Sequence, residues 1–136
     1  MRDLGGLAEL QHHARDEGFR LLDRLTSDWD SGALRFDQEG EVLLGVFEEG
    51  RLIAVGGVRR QAEGVGRVSR VYVHPQWRRR GVGARLLKHL IDQSRPWFSS
   101  LSLRTDTAEA AVFYETLGFH LLVESAVDLA THRMEL

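Results

Sequence analysis

Apolar residues recur at helical spacing over residues 7–15 and 17–29, with Leu7, Leu10 and Ala14 on one face and Leu21, Leu22, Leu25 and Trp29 on another. Gly18 parts the two runs, so the pattern predicts two short helices joined by a kink or brief loop, and Asp30-Ser31-Gly32-Ala33 ends the rhythm. The pattern then changes to strand-like runs at 42–47 and 52–58, separated by Glu48-Glu49-Gly50-Arg51, the spacing of an antiparallel hairpin. Gln61-Ala62-Glu63-Gly64 makes the next turn, and 65–73 forms a third strand of the meander. A helix is predicted over 81–93, ending before Pro96, and a strand over 101–105. Asp106-Thr107-Ala108-Glu109 has the form of a capping box with Asp106 as the cap, starting a helix that runs to Leu117 and stops at Gly118. Two short strands, 120–125 and 126–136, complete a mixed α/β order.

The chain has 136 residues, which predicts one domain over 1–136. Its hydrophobic share of 43% and charged share of 28% are those of a globular protein. It contains no cysteine, which excludes disulfides, thiolate metal sites and cysteine nucleophiles. The apolar runs are strand-sized and no basic-apolar-small leader pattern opens the chain, so a cytoplasmic protein without a membrane segment is expected. The net charge is only -2, yet Arg67, Arg70, Arg78, Arg79, Arg80, Arg85 and Lys88 crowd one stretch. Without a helix-turn-helix signature or basic tail, that cluster argues for one small polyanionic ligand and against nucleic acid.

The cluster coincides with a change of element. Val71-Tyr72-Val73 leads past Pro75 into Arg78-Arg79-Arg80-Gly81-Val82-Gly83, and the helix pattern opens at Ala84. A strand feeding a glycine-bearing turn and a helix start brings free N–H groups and the positive end of the helix dipole to one place, a site for phosphate. It is not a P-loop, since no Gly-Lys-Ser/Thr follows at the required spacing. It is not a dinucleotide fingerprint either, because Leu86 stands where the third glycine belongs.

A second signature, Phe113-Tyr114-Glu115-Thr116-Leu117-Gly118-Phe119, lies about 30 residues beyond the first. Val73-His74-Pro75, Arg78-x-x-Gly81-x-Gly83 and this aromatic run, in this order, resemble the GCN5-related N-acetyltransferase (GNAT) family over residues 7–136. The resemblance implies the acyl-CoA N-acyltransferase fold: a mixed, mostly antiparallel sheet flanked by helices. It also implies transfer of an acetyl group from acetyl-CoA to a primary amine of a small molecule or peptide. The turn at 78–83, with Arg78, Arg79, Arg80, Gly81, Val82, Gly83 and Ala84, would wrap the cofactor's pyrophosphate. The strand ending at Val73 would splay from its neighbour, so that main-chain groups of Val71, Tyr72 and Val73 border a notch for the pantetheine arm. Phe113 would pack on the cofactor or core. Tyr114 would be the general acid that protonates the leaving thiolate, the attack itself requiring a neutral amine and a stabilised oxyanion.

The chain departs from the family's pattern in three places. Members often carry a glutamate base where this chain has Arg67, which cannot accept a proton, leaving water relayed through Glu41, Glu48 or His74, or an amine that arrives neutral. Thr107 stands where an asparagine is frequent. Residues 1–6 are too short and glycine-rich for the usual first strand, and a sheet missing that strand leaves an edge that favours a homodimer. These departures motivate an alternative, a catalytically idle acyl-CoA-binding module. The acceptor pocket is expected between the N-terminal helices, the 29–36 loop and the last strands, lined by Phe19, Trp29, Phe36 and His132. The six histidines lack H-x-x-x-H spacing, so no metal site is expected.

Overall fold

The computed structural model describes residues 4–123 and 129–136. The elements are α1 (Leu7–Asp16), α2 (Leu21–Ser31), β1 (Val42–Glu48), β2 (Arg51–Ala62), β3 (Val65–Val73), a 3-10 turn (Pro75–Trp77), α3 (Val82–Ser94), β4 (Ser100–Leu103), α4 (Ala108–Thr116), β5 (His120–Leu121) and β6 (His132–Glu135). The strands make one sheet in the order β1-β2-β3-β4-β6-β5. All neighbours are antiparallel except β3 and β4, which run parallel. This is the mixed, mostly antiparallel sheet flanked by helices that the resemblance implies. Among the described residues no strand precedes α1, so β1 forms one edge of the sheet.

The hairpin between β1 and β2 has a two-residue loop, Glu49-Gly50, in which both residues take positive φ (50° and 78°). That conformation matches the twist of the paired strands. β2 extends past the apolar run to Ala62 because β3 pairs with it as far as Ala62↔Val65, and the ladder carries the polar Arg59 and Arg60 along. β4 stops at Leu103 rather than Thr105, since the Thr105 amide donates to Thr131 Oγ1 at 3.0 Å instead of to a strand. The cap of α4 is also one residue later than the sequence predicts. Thr107 is extended and its Oγ1 accepts the Ala110 N–H at 3.2 Å, whereas the Asp106 carboxylate lies 3.4 Å from Arg104. Of the expected strands 120–125 and 126–136, residues 124–128 lie outside the described residues.

Two apolar layers hold the sheet. On one face α1 and α2 bury Leu10, Leu22 and Leu25 against Val55 and Tyr72. On the other, α3 turns Val82, Leu86, Leu87, Leu90 and Ile91 inward against Val58, Val68 and Leu101, with Phe119 in the same layer. Full burial of such side chains contributes roughly 1.5–3 kcal/mol each. α3 is thereby pinned with its first turn beside the end of β3.

Candidate active site

β3 and β4 pair only at Val65↔Ser100, Gly66↔Leu101 and Arg67↔Ser102, so the last six residues of β3 have no partner in β4. This is the expected splay. The strand's alternation decides which groups face the opening. The His74 N–H donates to the Ile53 carbonyl at 2.8 Å, which turns the main chain of Tyr72 and His74 toward β2 and that of Val71 and Val73 toward the notch. Arg70, at a break in the β2–β3 register, has φ 59°, a left-handed conformation rare for a residue with a side chain.

The turn after β3 combines Arg79 at φ 61° with Gly81 at φ 79°, and Gly81 caps α3 with no side-chain hydrogen bond. The backbone N–H groups of 79–84 make no hydrogen bond within the described residues. Six amides are thus free at the positive end of a 13-residue helix. A Cβ on Gly83 would come within 3.2 Å of Phe113 and 3.4 Å of Val73, so the absent side chain keeps this cradle open between the turn, the notch and α4. Residues 79–84 therefore fit a pyrophosphate.

The three arginines of this turn are placed differently. Arg78 forms a fork with the Glu17 carboxylate (2.7 and 2.6 Å), and its Nε donates to the Val73 carbonyl at 3.2 Å. Glu17 also accepts from the Tyr72 hydroxyl, and these bonds, Arg78 foremost, lower its pKa. Arg78 thus ties the end of α1 to the end of β3. Arg80 lies over the Trp77 ring, 5.2 Å from its centre, while Arg79 and Arg80 both face solvent.

Tyr114, on α4, is 8% exposed and packs edge-on against Phe113 and Phe119, with ring centres 5.1 and 5.7 Å away. Its hydroxyl has no hydrogen-bond partner among the described residues and is not wholly buried. Burial raises its pKa above the ordinary phenol value, so it holds its proton at neutral pH.

A cavity of about 440 Å³ opens between the segment 28–41 and the strands β2 and β3. Its lining includes Asp28, Arg35, Asp37, Glu41, Arg59 and Arg70, a charged set. None of the aromatic residues expected in an acceptor pocket lines it. Phe36 is buried in the α1–α2 layer beneath Gly57, Trp29 packs on the same layer, and Phe19 is exposed. His132 is buried between Thr131 Oγ1 and Glu115 Oε2, each at 2.9 Å, apart from this cavity. Of Glu41, Glu48 and His74, only Glu41 lines the cavity. Arg59 went unmarked in the sequence reading, although the Arg59-Arg60 pair ending an apolar strand was a usable signal, and Arg70 was read only as part of the basic cluster.

Glu9, His13 and His74 bring ligand-type atoms within 4.8 Å of one another, a grouping that spacing within one helix does not reveal. His74 Nδ1 accepts the Gln76 N–H at 3.1 Å, which leaves the imidazole proton on Nε2, the atom facing Glu9 at 3.4 Å. Glu9 is itself engaged by Arg51, which holds its pKa down to about 2. The Glu9 carboxylate is thus committed to Arg51, and His74 Nδ1 to the Gln76 N–H.

The sequence model of the acetyltransferase (GNAT) family matches residues 7–119. The chain belongs to this family. It is 33% identical over 111 residues to a mycothiol acetyltransferase from Nocardiopsis dassonvillei, a match covering 73% of this chain and 31% of that protein, so the chain spans under a third of the relative's length. Among solved structures it resembles a protein assigned as an acetyltransferase from Exiguobacterium sp. 255-15, with a TM-score of 0.86 and 26% identity over 99% of this chain and 89% of that one. The PaiA N-acetyltransferase of Thermoplasma acidophilum, solved with coenzyme A, shares the fold with a TM-score of 0.61 and 17% identity, covering 79% of this chain and 65% of that one.

Proposed function

We propose that this GNAT chain transfers the acetyl group of acetyl-CoA to a primary amine by direct attack. The observation that carries this reading is the continuity of the β3–β4 notch with the uncapped first turn of α3 across the cradle at Gly83. The free amides of 79–84 hold the pyrophosphate, with Arg79 and Arg80 adding charge from the surface. The main chain of Val71 pairs with the pantetheine arm. The Val73 carbonyl joins it when Arg78 Nε gives way, since that bond occupies it in this structure.

The bound cosubstrate supplies an activated thioester. The amine nitrogen forms a bond to the acetyl carbonyl carbon, the carbon–sulfur bond breaks, the amine loses a proton and the sulfur gains one. Tyr114 is the donor of that last proton, which it regains from solvent, because its hydroxyl has no competing partner among the described residues. Arg67 is 8% exposed and occupies the position of the family's frequent base, so the amine's proton leaves by another route. Of the expected carboxylates, Glu41 lines the cavity, with its oxygens accepting the Gln38 and Arg60 N–H groups.

Incubation of the chain with acetyl-CoA and a panel of primary amines, with release of free thiol followed colorimetrically, tests the reading. Amine-dependent thiol release with a matching acetylated product is the expected result. Saturable acetyl-CoA binding with no transfer to any amine would instead support the idle-module alternative.

A further inference from the structure

The cavity beside β3 carries marks that bear on the acceptor, an inference that rests on the proposed acetyl transfer. Its volume of about 440 Å³ suits a small molecule. Arg59 is half-buried on its β2 wall, and its guanidinium has no ion-pair or hydrogen-bond partner among the described residues. Arg70, on the β3 wall, gives one nitrogen to Asp28 at 3.0 Å, while its Nε is buried without a partner. The Glu41 carboxylate is already taken by the N–H groups of Gln38 (3.1 Å) and Arg60 (2.7 Å). The acids of the cavity are thus largely engaged, and two arginine donors are left over. The half-buried guanidinium of Arg59 is the unpaired donor that an anion in the cavity would meet, beside the partly satisfied Arg70.

The backbone points to the same place. Arg70 at φ 59° and Phe36 at φ 53°, between the lining residues Arg35 and Asp37, hold left-handed conformations on the two segments that form the walls. Such strain is typically stored at ligand sites. Arg70 also directly precedes Val71, whose main chain faces the notch. The β3 wall of the cavity is thus continuous along the chain with the segment that borders the notch.

We infer that the acceptor is a small amine that also bears a carboxylate, an amino-acid-like molecule whose carboxylate is bound by Arg59 and Arg70 while its amine reaches past Arg70 to the notch. Arginine's planar fork suits a carboxylate. Asp28, Asp37 and Glu41 in the same walls disfavour a more highly charged group such as phosphate.

The test is a thiol-release assay with the full chain and matched acceptor pairs: each α-amino acid beside the amine it becomes without its carboxylate. The carboxylated member should have at least tenfold higher kcat/KM in the preferred pair, and Arg59→Ala should bring that ratio close to one, with Arg59→Lys restoring part of it. Equal use of both members, or a preference that survives Arg59→Ala, would overturn the inference. A parallel acetyl-CoA titration separates the two levels of failure. Binding without acetylation of any carboxylated amine removes this acceptor class alone, whereas no binding removes the transferase reading itself.

Discussion

Tyr114 shows how one residue's surroundings decide its chemistry. Packing between Phe113 and Phe119 raises the phenol's pKa and leaves its hydroxyl unpaired among the described residues, a protonated donor beside the proposed path of the sulfur. Tyr114→Phe keeps the ring and its packing, so kcat should fall about a hundredfold with acetyl-CoA affinity little changed. Steady-state rates beside a cofactor titration separate the two effects, and an unaltered kcat would remove Tyr114 as the acid. Glu9 gives a second test at this scale. Its pKa is depressed from 4.5 to about 2, chiefly by Arg51, so the stability this pair provides is fully present above pH 4.5 and is lost as pH falls toward 2. The Tm difference between the parent chain and Glu9→Gln should therefore narrow from pH 6 to pH 3, and shrink in salt because the pair is exposed. A gap independent of pH would contradict the pairing.

Close approach at the element level shapes both faces of the sheet. Phe36 tucks under β2 only because Gly57 has no side chain: a Cβ there would lie 2.5 Å from the ring. Gly57→Ala should cost about 1–3 kcal/mol in urea unfolding, and a neutral result would mean that the segment 28–41 moves freely over the sheet. At the start of α4, Thr107→Ala should cost about 1 kcal/mol as the lost cap for Ala110, while Asp106→Ala should cost less. Matched unfolding curves for the two variants decide between them. The sequence offered both residues as plausible caps, and the choice depended on whether Asp106 turned to Arg104, which is a tertiary matter.

Across the whole molecule, legibility followed the range of the interactions involved. The α3 turn could be read because its glycines, arginines and helix start are adjacent in the chain, and the meander because hairpin turns are local. The splay of β3 from β4 was an expectation from family resemblance, and the register bears it out. The ties of Arg78 to Glu17, and of His74 to Glu9 and His13, join residues dozens of positions apart and left no periodic trace. The charged cavity was missed for a related reason: aromatic residues near 29–36 looked like a pocket lining, but their apolar bulk sent Trp29 and Phe36 into the α1–α2 core and left the rim to arginines and acids. Among the described residues no helix is long and apolar enough to cross a membrane.

The central claim is that the first turn of α3 receives the pyrophosphate of acetyl-CoA, and Gly81 gives the most direct test of it. A Cβ at Gly81 would meet nothing within 4 Å, so Gly81→Glu has room to fold, at about 1–2 kcal/mol for its left-handed φ of 79°. Its carboxylate would then stand among amides proposed to hold phosphate. Isothermal titration of the parent chain and of Gly81→Glu with acetyl-CoA should show saturable binding in the first and at least tenfold weaker binding in the second, with both chains folded by circular dichroism. Equal dissociation constants for the two would contradict the placement of the cofactor at this turn.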